Sequence, residues 1–504
     1  MDWHGILNWA NNFRDAVTIR NKQRHTFDRY RETAEMNQPP LSRRMLLAQA
    51  GMGIGAFAML DLMSREANAT ENPLAPKSTP HAARAKAVIS LFMHGGPSQV
   101  DTFDPKPMLA KYAGETLPPS FANLNLEFTK ASEAKVLPSA RQFKKCGNSG
   151  IEISDIFQHL PNVADEIAVI RSCHHTEFNH APALYLSHSG TGMMGRPSLG
   201  AWATYGLGSE SQNLPGYVVL RDGPLKGGPL TYGNGFLPAV YSATELRLSG
   251  SPILYLDRPN GVSDRDQRRI LDFSQQLNRR YLEEQNGDGS LSARISAYEL
   301  AYRMQSTAPE AVDLSQETKQ VQSQYGLDNE ATRPFGVQCL NARRLVERGV
   351  RFVQLYHGGG GDGWDTHGDN DAKHVRNGRQ VDKPIAGLIS DLKARGLLDS
   401  TLIIWGGEFG RTPTSEGSAG RDHNPYGYSV WMAGGGIKGG TVYGSTDEFG
   451  FKAEQNPVQV RDLHATILHL LGLEHDQLTF YFQGLQQRLT QIDGESRVIN
   501  EILA

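Results

Sequence analysis

Six short apolar runs, each set in polar, glycine-rich surroundings, constrain this chain more than any other feature. They fall at 86–93, 167–170, 216–220, 351–355, 401–405 and 428–433, and most carry β-branched residues. A run that is apolar without alternation fits a strand buried on both faces, as in a parallel sheet. Between several of them lie stretches with apolar residues at i, i+3 and i+4, such as 334–348 and 384–395. Strands alternating with helices predict an α/β fold with a central, mainly parallel β-sheet and helices on both faces. The segment 263–325 is charged, helical in period and poor in strand signals, and it reads as a helical insertion over the sheet.

In such a sheet a ligand binds at the carboxyl ends of the strands, so the polar residues that follow each run carry the chemistry. After the first run come His94, two glycines and Asp101; after the second, His174, His175, Thr176, Asn179 and His180. After Leu355 come His357, a run of glycines, Asp362, Asp365 and His367. Glu408 and Arg411 follow Trp405, and His423 precedes the run at Tyr428. Neutral imidazole with carboxylate is the ligand set of zinc or a similar divalent ion, and glycine lets backbone approach a ligand closely. One such loop is commonplace; five at one edge of one sheet predict a divalent-metal site. Zinc is the first expectation, with manganese or calcium as alternatives.

Bulk composition removes other classes. A net charge of −3 over 504 residues gives no electrostatic footprint for nucleic acid. Three cysteines, Cys146, Cys173 and Cys339, describe neither a disulfide scaffold nor a zinc ribbon. At the other end of the chain, Arg43-Arg44 precedes an uncharged apolar run at 50–60, with Ala67 and Ala69 forming an A-x-A site. That pattern predicts a twin-arginine export signal over residues 1–69, a linker over 70–84 and a periplasmic or extracellular domain with no membrane span of its own. The domain is expected over 85–490, with a tail at 491–504.

The pieces beginning at His94 (HGGPSQVDTFDPK), Gly363 (GWDTH), Gly407 (GEFGRTP) and Gly420 (GRDHNP) resemble the exported, planctomycete-type family known as domain of unknown function 1501. That family in turn resembles the alkaline phosphatase and sulfatase superfamily. The resemblance implies an alkaline-phosphatase-like fold, usually with two metal ions, and hydrolysis of phosphate or sulfate esters of small molecules or polymers. It implies Asp365, or Asp362 in its stead, with His367 and His423 as ligands of a first ion. His94 or Asp101, with Glu408, would hold a second, although the Asp-His pair expected there is Glu408-Phe409. Thr176 resembles the nucleophile at a helix start, or else a helix cap, and Asn179 a donor to a non-bridging oxygen. Arg411 is read either as the partner of a substrate anion or as a structural salt-bridge residue. His174, His175, His180 and His357 read as groups behind the ligands or as extra ligands. Cys173 lacks the context of a formylglycine sulfatase. The rival to an esterase is a non-catalytic binding protein of the cell envelope that keeps the fold and a metal.

Overall fold

All six apolar runs are strands of one nine-stranded sheet. The computed structural model describes residues 72–504, apart from 122, 123, 125, 131, 249, 255, 259, 285–288, 360, 362 and 491–493. The expected export signal, 1–69, and the alternative ligand Asp362 therefore lie outside the described residues. The strands of the main sheet, numbered in chain order, are β1 (Ala87–Met93), β2 (Ile167–His174), β3 (Tyr217–Arg221), β4 (Thr244–Glu245), β5 (Phe352–His357), β6 (Thr401–Gly406), β7 (Tyr428–Ala433), β8 (Thr441–Tyr443) and β9 (Val458–Gln459). Their spatial order is β8-β2-β7-β6-β1-β5-β3-β4, with β9 also paired to β2.

Every pairing is parallel except those of β7, which runs antiparallel to both β2 and β6. This exception matters for the site. The amino end of β7 lies beside the carboxyl end of β2, with Tyr428 opposite Cys173. A residue just before β7 thus emerges at the same edge as residues just after the parallel strands.

Helices cover both faces. They are α1 (His180–Ser189), α2 (Leu199–Leu207), α3 (Asp264–Glu284), α4 (Gly289–Val312), α5 (Arg333–Glu347), α6 (Asn370–Ala394) and α7 (Val460–Leu470). Across the parallel register Ser90 lies opposite Gln354 and Ile404, while Leu91 lies opposite Leu355 and Trp405. Successive side chains of a strand point to opposite faces. Ser90, Gln354 and Ile404 accordingly share a cavity with His188 of α1, Leu199 of α2 and Leu463 of α7. On the other face Trp405 stacks on Trp431 at 6.0 Å and meets Phe103 edge-on at 5.1 Å. There too Phe335 of α5 meets His357. Burial on both sides explains why these strands are continuous apolar runs.

The segment read as an insertion contains α3 and α4, which pack on each other, with α4 also against α5. The expected domain edges need correction. In the 70–84 segment Leu74 is buried, and the amides of Lys77 and Arg84 bond to Leu207 and Leu470 carbonyls. At the other end Ile499 and Ile502 are buried, and the Ala504 amide bonds to Gly436. Apolar side chains anchor both segments, so neither is a free linker or tail. Trp431→Ala, which would leave a void beside Trp405, is expected to lower stability by about 3–5 kcal/mol, read as a shift in the denaturation midpoint.

Candidate metal centre

Asp365 stands at the middle of the strand-end loops. It follows β5 in the turn that starts at Gly363, and its carboxylate is almost buried. Three imidazoles converge on it. His367 Nε2 and His423 Nε2 lie 2.8 and 3.2 Å from Oδ1, and His180 Nε2 lies 3.1 Å from Oδ2. The Nε2 atoms of His367 and His423 are 3.1 Å apart. One ligand atom from each of the four residues falls within 4.8 Å of all the others.

The opposite nitrogen of each ring is held by an acceptor. His180 Nδ1 is 2.7 Å from Glu408 Oε1, and His367 Nδ1 is 2.5 Å from Glu416 Oε2. His423 Nδ1 is 2.7 Å from the Phe178 carbonyl and 2.5 Å from Glu127 Oε2. Carboxylates and carbonyls only accept, so each Nδ1 must carry the proton. In the neutral ring the Nε2 lone pair then points to the centre, which is the arrangement of metal-bound histidine. His180 Nε2 is buried and, although close to Asp365, has no hydrogen bond. The donor set fits a divalent ion.

Charge is arranged around the same carboxylate. Burial would raise the pKa of Asp365, but the three histidines and Arg411 outweigh it and hold the group far below the usual carboxylate range. Burial works against charging His180 and His367, yet their acidic neighbours raise both above the ordinary value. Glu408 is fully buried, which favours its neutral form; the hydrogen bond and charge of His180, with His94, bring it down to about 2.

Several expected site residues stand elsewhere. Asp101 is not a ligand: its Oδ2 takes Arg421 Nε at 2.9 Å, Asn370 Nδ2 at 2.9 Å and the Ser98 hydroxyl at 2.6 Å. Glu408 lies behind His180 and accepts the Gly95 amide at 2.9 Å, so its carboxylate is engaged in holding that ring. His94 uses Nε2 to accept the Lys226 amide at 3.2 Å and is outside the cluster. With these three otherwise engaged, the described residues form no second ion site from the expected set. His367, Glu416 and Asp422 also lie close together. However, Asp422 already accepts from the Phe128, Thr129 and His423 amides.

Thr176 is exposed and lines a separate pocket with His174, His175, Glu177 and Arg461, none of them in the cluster. The helix starts four residues later, at His180, with Asn179 as its cap. Asn179 Nδ2 donates to Glu127, so that amide is taken. Arg411 is fully buried, and its guanidinium is spread over Asp365 and the carbonyls of Gly95, Gly96 and Arg421. Four of its hydrogen bonds are thus made within the fold. His175 donates to the Glu408 carbonyl and His357 pairs with Gln380 and Trp364, which makes both supports.

Of the four histidines read as supports or extra ligands, His180 joins the cluster, and three residues that the sequence does not single out, Lys226, Glu416 and Glu127, stand around it. Lys226 Nζ contacts Asp365 Oδ2 from the loop after β3. Screening that loop by the strand-end rule would have found it. Glu416 sits between two matched motifs and could have been suspected as a histidine partner, whereas Glu127 follows no strand and carries no signal.

Gly95 shows how tightly the loops interlock. Its φ is +112°, and a Cβ there would lie 2.3 Å from the Asp365 amide. Metal analysis of the purified protein is expected to find one ion per chain, and Glu408→Gln is expected to weaken ion binding about 10- to 100-fold. Ligation needs neutral imidazole, and the pKa values of His180 and His367 are raised. Ion affinity should therefore fall as pH drops through and below those raised values, with proton release on binding, both measurable by calorimetry in several buffers.

No curated protein matches the chain. Among solved structures it is similar to a phosphonate monoester hydrolase from Silicibacter pomeroyi, at 13% identity and a TM-score of 0.34, covering 69% of this chain and 72% of that one. It is also similar to the PsFucS1 sulfatase from Pseudoalteromonas sp., at 14% identity and a TM-score of 0.31, over 88% and 77% of the two chains. A third similar structure is the alkaline phosphatase of the Antarctic bacterium TAB5, at 11% identity and a TM-score of 0.34, over 78% and 99%. A family model described as a protein of unknown function (DUF1501) matches residues 85–503, and the chain belongs to that family.

Proposed function

We propose that this chain is an exported, metal-dependent hydrolase of phosphate or sulfate esters, with one divalent ion held by His180, Asp365, His367 and His423. The observation that carries the reading is the convergence of three Nε2 atoms on one carboxylate while every Nδ1 is held by an acceptor. Three imidazoles and one carboxylate make a four-donor set of nitrogen and oxygen, which suits zinc better than calcium. A divalent ion there would supply Lewis-acid stabilisation of the charge that builds on the transferred phosphoryl or sulfuryl group.

The chain's own residues do the rest. Glu408, Glu416 and the Phe178 carbonyl, with Glu127 beside it, hold the three rings, and buried Arg411 holds the carboxylate. Phe128 is 59% exposed and sets its ring edge-on to His367 at 4.8 Å, giving the mouth an apolar wall for the alcohol part of the ester. Because Thr176 stands outside the cluster, attack is assigned to water. The water oxygen bonds to phosphorus or sulfur, the ester bond to that atom breaks, and the alcohol leaves with a proton. The resemblance of the chain's family to the alkaline phosphatase and sulfatase superfamily supports the ester class.

Export is part of the proposal and rests on the paired arginines, the apolar run and the A-x-A site in 1–69. Among the described residues no helix is long and apolar enough to cross a membrane. A panel of aryl phosphate mono- and diesters, phosphonates and sulfates, with added zinc, manganese or calcium, tests the reading. Turnover of one class is expected, falling roughly a hundredfold or more in His423→Ala. An ion-loaded protein that turns over none of them would be a binding protein of the cell envelope instead.

A further inference from the structure

Among the described residues a lysine and an arginine touch Asp365, and they differ in freedom. Arg411 is buried with its donors spread over four oxygen partners, so it cannot turn toward a ligand. Lys226 is the opposite case. Its side chain is 41% exposed, and its ammonium rests on Asp365 Oδ2, the same oxygen that His180 approaches. The position of its backbone is nevertheless fixed. The Lys226 amide donates to His94 Nε2, and His94 is itself 1% exposed. Asp222, at the start of the same loop, accepts the amides of Gly358 and Gly359 at 2.9 and 2.8 Å, tying the loop to the one that carries Asp365. The structure thus holds a flexible cation on a rigid base beside a ligand oxygen.

An ammonium and a divalent ion repel each other strongly when they share one carboxylate oxygen in a largely buried site. Where the ion takes Oδ2, that repulsion drives Lys226 off it, and its fixed backbone keeps the ammonium at the rim of the centre. The anion of an ester substrate is the group that would receive it there. We propose that Lys226 is the anion-binding residue of the site and that it competes with the metal for Asp365. The inference rests on reading the cluster as a divalent-ion centre. It also gives His94 its task, as the residue that positions the Lys226 loop.

A structural salt bridge and a competing cation predict opposite signs. In the full-length protein, Lys226→Met should bind zinc roughly five- to tenfold more tightly, measured against a chromophoric chelator, because a competitor is gone. The zinc-loaded variant should bind inorganic phosphate or sulfate about tenfold more weakly by calorimetry. Lys226→Arg, which keeps the charge, should stay near wild type in both. A Lys226→Met protein whose zinc affinity drops or stays the same, or whose phosphate and sulfate affinities are unchanged, would overturn the proposal. Failure of the wild type to take up zinc, manganese or calcium would overturn the centre itself, and this inference with it.

Discussion

The contact between Asp365 and Arg411 organises everything at the carboxyl edge of the sheet. A guanidinium with no exposure needs partners inside the fold, and this one makes four hydrogen bonds, to Asp365 and three backbone carbonyls. Those carbonyls belong to the loop after β1 and the segment before β7. One buried cation therefore sets the carboxylate, the Gly95-Gly96 turn and the approach to His423 at once. Removing one partner of such a pair leaves an uncompensated buried charge, which is why the arrangement tolerates little change.

Around that fixed carboxylate the design is repeated three times with different parts. Each imidazole lies between Asp365 and an outer acceptor, and the acceptor decides the tautomer. The outer acids differ in burial: Glu408 is deep in the fold, whereas Glu416 and Glu127 lie nearer the surface. The acid behind His180 is thus the deepest of the three, and Glu408 in turn is pinned by the Gly95 amide. The antiparallel direction of β7 lets a residue that precedes a strand, His423, join residues that follow strands.

Much of the fold was legible because its strands are buried on both faces, and burial leaves a plain mark in runs such as 401–405 and 428–433. Strand direction leaves no such mark. The β7 run is as apolar as its parallel neighbours, so its reversal could not be read. Of the centre, Asp365, His367 and His423 were legible from motif and position. His180 is hard to single out because Thr176 has the same loop and the stronger motif, and only the three-dimensional path shows the helix starting at His180. Asp101 was misread for a physical reason: spacing cannot tell a ligand from a carboxylate neutralised by a buried arginine, here Arg421. Lys226 and Glu127 act from loops whose chemistry depends on what lies opposite them, which the chain order does not record.

The four clustered residues sit at positions 180, 365, 367 and 423, so most of the chain must be folded before they meet. Closing loops of that length costs entropy, and little is recovered until the intervening strands have paired. An ion therefore has no local cluster from which to start the fold, apart from the neighbours Asp365 and His367. Occupancy of the centre would instead be a late event, reporting that the whole sheet, including its one reversed strand, has been completed.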